Sequence, residues 1–132
     1  MQIGVSIMTR ILLVEDDLQL QVVYQRILEG AGYAVQVIDS CGEALQRLEE
    51  DGVDLLITDL LLPGIDGIEL IQLLHDMPFA PPVIAITGGT QQMAGSQLLA
   101  MAREIGVRHT LHKPFASTEL LQAVEEVLGG TG

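Results

Sequence analysis

Tryptophan is absent from the 132 residues, and only two phenylalanines and two tyrosines are present. Any core built by this chain is therefore aliphatic. A single cysteine, Cys41, excludes an internal disulfide and any zinc site made from cysteines. It fits a reducing compartment. Basic residues are scarce: six stand against eighteen acids, for a formal net charge of -12. Nucleic-acid grooves need clustered Lys and Arg, so this balance argues against a nucleic-acid partner. It argues equally against an anionic membrane surface. No apolar run approaches the roughly 18 residues of a membrane span. The opening "MQIGVSIMTRILLVEDD" lacks the basic start and small-residue cleavage site of a signal peptide. These absences lead to the expectation of a cytoplasmic chain with no nucleic-acid and no membrane partner.

What is present is apolar: 48% of the residues. At this length one domain is expected, since single domains commonly hold about 100–200 residues. Residues 1–9 read as an N-terminal extension, 10–128 as the domain, and 129–132 as a tail or the start of a linker. Within the domain, short β-branched and Leu-rich runs alternate with helical spacing. Strands are expected at 10–15, 33–39, 54–58, 82–87 and 107–111. Helices are expected at 18–32, with Leu20, Val23, Ile27 and Leu28 at inward spacing, and at 41–52, with Ala44, Leu45 and Leu48 inward. Three more follow at 67–77, at 91–106, and from Ser117 or Thr118 to Gly129, where the Ser-Thr-Glu start reads as a cap. Near-continuously apolar strands separated by single helices imply a parallel sheet covered on both faces. Right-handed crossovers make it doubly wound.

In such sheets ligands bind beyond the carboxyl ends of the strands. Those ends carry Glu15, Asp16 and Asp17 after strand one, Asp59 after strand three, Thr87 after strand four, and Lys113 after strand five. Lys113 is the only lysine in the chain. Packed carboxylates repel one another and ask for a cation. Oxygen donors without His or Cys suit Mg²⁺, Ca²⁺ or Mn²⁺. A carboxylate beside such an ion has the chemistry to attack a phosphoryl group. A hydroxyl and an ammonium then have the chemistry to hold the phosphoryl oxygens. Asp17 extends the acidic run but reads better as the cap of the first helix.

The motifs "ILLVEDD", "DLLLPGIDG", "AITGG" and "HKPF", in that order and between those strands, are similar to those of the receiver domain of two-component response regulators. The resemblance covers Arg10 to Leu128. It implies a flavodoxin-like (βα)5 fold with a five-stranded parallel sheet in the order 2-1-3-4-5. It implies that Asp59 is the phosphoacceptor, served by a histidine kinase or a histidine phosphotransfer protein. Glu15, Asp16, Asp59 and the backbone carbonyl of Leu61 are implied as the Mg²⁺ ligands. Thr87 is implied as the switch hydroxyl, and Lys113 as the lysine that bonds the phosphate. A cis peptide is implied at Lys113–Pro114. The output is implied to be a signalling switch rather than an enzyme. It acts on a downstream protein target or an output domain missing from these residues.

Several positions depart from that pattern. Thr110 stands where Tyr or Phe is common, three residues before the lysine. Strand alternation turns its neighbour His109 the opposite way. Gly88 and Gly89 follow the switch hydroxyl and predict a mobile loop. Leu61 and Gly89 offer no polar side chain to orient a hydrolytic water. Met93, Leu98, Leu99, Met101 and Ile105 make the helix at 91–106 apolar on more than one face. That helix, strand five and the last helix are therefore a candidate partner or homodimer surface. Leu18, Gln21 and Val22 are candidates for docking a kinase or phosphotransfer helix. His75 and His112 show no metal-ligand spacing. Two other readings compete. An aspartyl-phosphate phosphohydrolase would carry an acid where Leu61 stands. A degenerate receiver would serve only as an interaction scaffold.

Overall fold

The computed structural model describes residues 8–60, 67–78, 80–88, 100, 102–104, 106–107 and 109–129. Five strands, β1 (Arg10–Val14), β2 (Ala34–Ile38), β3 (Leu55–Asp59), β4 (Val83–Thr87) and β5 (His109–His112), form one sheet in the order β2-β1-β3-β4-β5. All four pairings are parallel. The doubly wound parallel sheet read from the sequence, in the order implied by the resemblance, is the sheet observed.

The side chains of β1 alternate between two cores, as the pleat requires. Ile11 and Leu13 join Leu55, Ile57, Ile84, Ile86 and Leu111 on one face. There they meet Tyr24 and Leu28 of α1 (Leu18–Gly30) and Leu120, Ala123 and Val124 of the C-terminal helix (Ser117–Leu128). Leu12, Val14 and Leu56 face the other way, onto Cys41, Ala44 and Leu48 of α2 (Cys41–Glu50) and Leu70 and Leu74 of α3 (Gly67–His75). Ala85 packs with Leu60, Ile71, Ala102 and Val107 on a neighbouring patch. Full burial of one such leucine contributes about 2 kcal/mol, so these layers hold the strand ends where they are.

Local chemistry sets the helix starts. Asp17 caps α1, its carboxylate accepting from the Gln19 and Leu20 N–H groups at 2.9 and 3.1 Å. The cap reading of Asp17 is the observed geometry. Ser40 caps α2 through the Glu43 N–H. Beyond α1, Gly32 adopts φ +98°, a left-handed conformation that favours glycine and turns the chain toward β2.

Three expectations are corrected. Val23 is 48% exposed, and Tyr24 takes the inward place instead. The inward stripe of α1 is thus Leu20, Tyr24, Ile27 and Leu28. The cap of the last helix is Ala116, with Ser117 already helical. Only the Glu119 half of a capping box can operate there: its carboxylate accepts the Ala116 N–H at 3.0 Å. Finally, β5 starts at His109 rather than 107. Leu61, Gly89, Met93, Leu98, Leu99, Met101 and Ile105 lie outside the described residues. Within the expected helix at 91–106, the described residues are Ala100 and 102–104, which are helical, and Gly106, which forms a turn.

Candidate functional site

The chain leaves β1 into Glu15, whose N–H donates to the Ile38 carbonyl at 3.0 Å. This bond continues the β1–β2 ladder and fixes a carboxylate that is only 1% exposed. Asp59 is the last residue of β3 and 5% exposed. Thr87 closes β4 and is fully buried. The Lys113 N–H donates to the Thr87 carbonyl at 2.8 Å, so the exit from β5 is tied to the end of β4. The Lys113–Pro114 peptide is cis.

The exits of β1 and β3 converge on the ammonium that follows β5. Lys113 Nζ lies 2.6 Å from Asp59 Oδ2 and 3.3 Å from Glu15 Oε1. Its aliphatic stem passes Gly88, where an added Cβ would sit 3.5–3.6 Å from Lys113 carbons. That is ordinary contact, so alanine fits at position 88. The other Glu15 oxygen, Oε2, accepts the Asp17 N–H at 3.1 Å. Of the residues singled out in the sequence, Glu15, Asp59 and Lys113 are in direct contact. Thr87 adjoins them through its backbone. Asp16 is exposed beside Glu15.

Burial is the main force on Glu15 and raises its pKa above the ordinary value of 4.5. The Asp17 N–H and the Lys113 charge oppose it, and the Asp59 charge adds to it. For Lys113 burial acts downward. The hydrogen bond and charge of Asp59, followed by those of Glu15, outweigh it and hold the ammonium above 10.5. The site thus stores negative charge in a partly dry place and answers it with one cation.

The donor set bears on whether a divalent ion fits here. Among the described residues no three His, Cys, Asp or Glu side chains stand close enough to cage a metal alone. Mg²⁺ does not ask for that. It typically takes one or two carboxylates and completes its shell with water and substrate phosphate. Two buried carboxylates and the neighbouring exposed Asp16 fit such an ion by donor chemistry.

Sequence reasoning missed two contributors. Tyr24 of α1, 6% exposed, stacks on Phe115 with ring centroids 5.3 Å apart and 22° between planes. The signal was available, because Tyr24 lies four residues from both Leu20 and Leu28. Gln21, read as a docking residue, donates its Nε2 to the Glu15 carbonyl at 2.6 Å. Leu18 and Val22 are exposed, at 72% and 47%.

Thr110 pairs with Ala85, and His109 with Ile84. The two therefore face opposite sides of the sheet. Both are half-buried, and they line a hollow of about 350 Å³ with Arg103, Glu119, Gln122 and Glu126. His75 and His112 are exposed. No helix among the described residues is long and apolar enough to cross a membrane.

A parallel sheet in this order, with charged groups gathered at its carboxyl edge, defines a flavodoxin-like α/β protein. Within that class, the chain belongs to the response regulator receiver domain family, whose model matches residues 11–125. It is 34% identical over 121 residues to the response regulator receiver protein CpdR of Brucella abortus, covering 92% of this chain and 98% of that protein. It is 33% identical over 120 residues to the C4-dicarboxylate transport transcriptional regulatory protein DctD of Pseudomonas aeruginosa. That match covers 91% of this chain but spans only 25% of the longer regulator. Among solved structures, a CheY-like response regulator receiver domain from Methanospirillum hungatei superposes with a TM-score of 0.84 at 28% identity. There 94% of this chain and 96% of that one are covered. The chain is thus a receiver domain of the two-component signalling type.

Proposed function

We propose that the domain accepts a phosphoryl group on Asp59 from a histidine kinase or a histidine phosphotransfer protein. One observation carries this reading: Lys113 Nζ sits 2.6 Å from Asp59 Oδ2, at the edge where four strand ends meet. In the step, an Asp59 carboxylate oxygen forms a new bond to phosphorus. The bond from phosphorus to the donor's imidazole nitrogen breaks, and the electron pair stays on that nitrogen. Lys113 draws the Asp59 carboxylate into place and then follows the charge onto the phosphoryl oxygens. The Thr87 hydroxyl, at the adjacent strand end, offers them a further donor. Glu15, Asp16, Asp59 and the Leu61 carbonyl would hold Mg²⁺. When bound, that ion neutralises charge on the transferring group.

In the phosphorylated site an acyl phosphate of about -1.5 to -2 charge, with more acceptor oxygens, replaces a carboxylate of about -1. This shifts a two-state equilibrium at the output surface. The domain is then a switch whose chemistry is its own modification. Thr110 favours a second arrangement of that switch. With no ring at this position and a hollow beside it, the coupling from phosphate to surface runs through another element. Leu18 and Val22 supply an exposed apolar pair on α1 for the donor protein's helix. The domain is read as acting in the cytoplasm on a protein target or a linked output domain.

The test is intact mass after incubation with Mg²⁺ and acetyl phosphate. Wild type gains one phosphoryl group and Asp59→Asn gains none. Equal labelling of both proteins rejects Asp59 as the acceptor.

A further inference from the structure

Lys113 works from an awkward place. It follows β5, a half-buried strand at the margin of the sheet, and its ammonium sits at the end of a flexible four-carbon stem. Its two ion pairs hold that tip, but they exist only while the carboxylates keep their present charge and geometry. The Thr87 carbonyl ties the Lys113 N–H, and the chain beyond it needs a hold of its own. Two residues further on, Phe115 is half-buried and stacks on Tyr24 of α1. Only four Phe and Tyr rings occur in the chain, and two of them meet here. Stacked rings in this arrangement attract one another beyond what their buried area contributes.

Helix α1 is itself tied to the opposite side of the charged cluster. The Asp17 N–H donates to Glu15 Oε2 and Gln21 Nε2 donates to the Glu15 carbonyl. One helix therefore touches both flanks of the ion-pair cluster: Glu15 through its first turn, and the Lys113 segment through Tyr24. The Tyr24 hydroxyl lies within electrostatic reach of the site. Burial raises its pKa first, and the charges of Lys113, Glu15, Asp59 and Asp17 act on it in turn.

We propose that Tyr24 is a positioning residue for phosphoryl transfer: by stacking on Phe115 it fixes the Lys113–Phe115 segment against α1 and so sets where the Lys113 ammonium meets Asp59. The proposal rests on the phosphoacceptor reading of Asp59. The ring carries the role; the hydroxyl is secondary. Small misplacements of a catalytic group are costly, up to about 100-fold in rate. A lost stack that leaves the ion pairs intact should cost roughly tenfold.

The experiment follows the rate of the phosphoryl adduct by intact mass, with acetyl phosphate, across a Mg²⁺ titration. The variants are Tyr24→Phe, Tyr24→Leu and Phe115→Leu. Tyr24→Phe keeps the wild-type rate. Tyr24→Leu and Phe115→Leu each lower the maximal rate about tenfold and leave the half-saturating Mg²⁺ concentration unchanged. A merely structural disturbance moves both quantities. A wild-type rate in Tyr24→Leu overturns the proposal, and so does a Mg²⁺ half-saturation that shifts with the rate. If Tyr24→Leu loses cooperative unfolding, Phe115→Leu decides by the same two readouts. Wild type and Asp59→Asn run alongside. A wild type without an adduct defeats the phosphoacceptor reading, whereas a labelled wild type with unslowed variants defeats only the role of Tyr24.

Discussion

All five residues of β3 are buried, whereas β5 has one buried residue, Leu111, in a strand of four. Both strands lead to the charged edge. β3 is paired on both sides, by β1 and β4, and delivers Asp59. β5 is paired by β4 alone and precedes Lys113. Asp59 is thus fixed by core packing, and the Lys113 cation is fixed by polar contacts and one aromatic stack. On the phosphoacceptor reading, the group to be modified stays still, and the group that responds sits on the softer margin.

The largest test of the comparison is a pair of core truncations. Leu56→Ala in β3 should cost about 4 kcal/mol of unfolding free energy and Leu111→Ala in β5 about 2 kcal/mol. Both are read from urea denaturation. Equal costs would remove the distinction between the strands.

Next comes the cation. Lys113→Met leaves Glu15 and Asp59 facing each other without compensation and should cost about 2 kcal/mol at neutral pH. The sign with pH is definite. Glu15 has a raised pKa, so acid protonates it and relieves the repulsion in the variant. The difference between wild type and variant therefore shrinks as pH falls toward Glu15's raised value. In wild type, the stability contributed by Lys113 is fully present below 10.5 and is lost as pH rises through its raised folded-state pKa. Thermal midpoints of both proteins across pH check the two limbs. A difference that grows in acid would contradict the arrangement.

Removal of the α1 cap is a smaller perturbation. Asp17→Ala leaves the Gln19 and Leu20 N–H groups without their side-chain acceptor. A loss of about 1 kcal/mol is expected in denaturant melts. The smallest effect belongs to the outer face of α1. Leu18→Ser should change stability by less than about 0.5 kcal/mol, because the side chain is 72% exposed. It should nonetheless slow transfer from a phosphorylated histidine protein while leaving acetyl phosphate labelling intact. Slowing of both reactions would place Leu18 in the site rather than at a docking surface.

The sheet was legible because apolar runs such as "LLIT" and "VIAIT" have the composition of strands covered on both faces. The charged site was legible because its residues stand at the ends of those runs. What the sequence withheld was direction and distance. Val23 and Tyr24 are adjacent and both plausibly apolar; the four-residue spacing of Tyr24 from Leu20 and Leu28 favours it, and packing against Leu28 and Phe115 fixes it inward. Ser117 has the better capping chemistry, yet the backbone enters the helix one residue earlier and leaves Ala116 at the cap. The Lys113–Asp59 contact joins residues 54 apart, a closure that only the tertiary fold supplies.

The most direct check of the central claim is to locate the phosphoryl group itself. Protein labelled by a phosphorylated histidine donor is reduced with borohydride, which converts an aspartyl phosphate to homoserine, and is then mapped by peptide mass spectrometry. Homoserine at position 59 and at no other acid is the predicted result. Conversion at Asp16, Asp17 or Asp54 with Asp59 unchanged would contradict it.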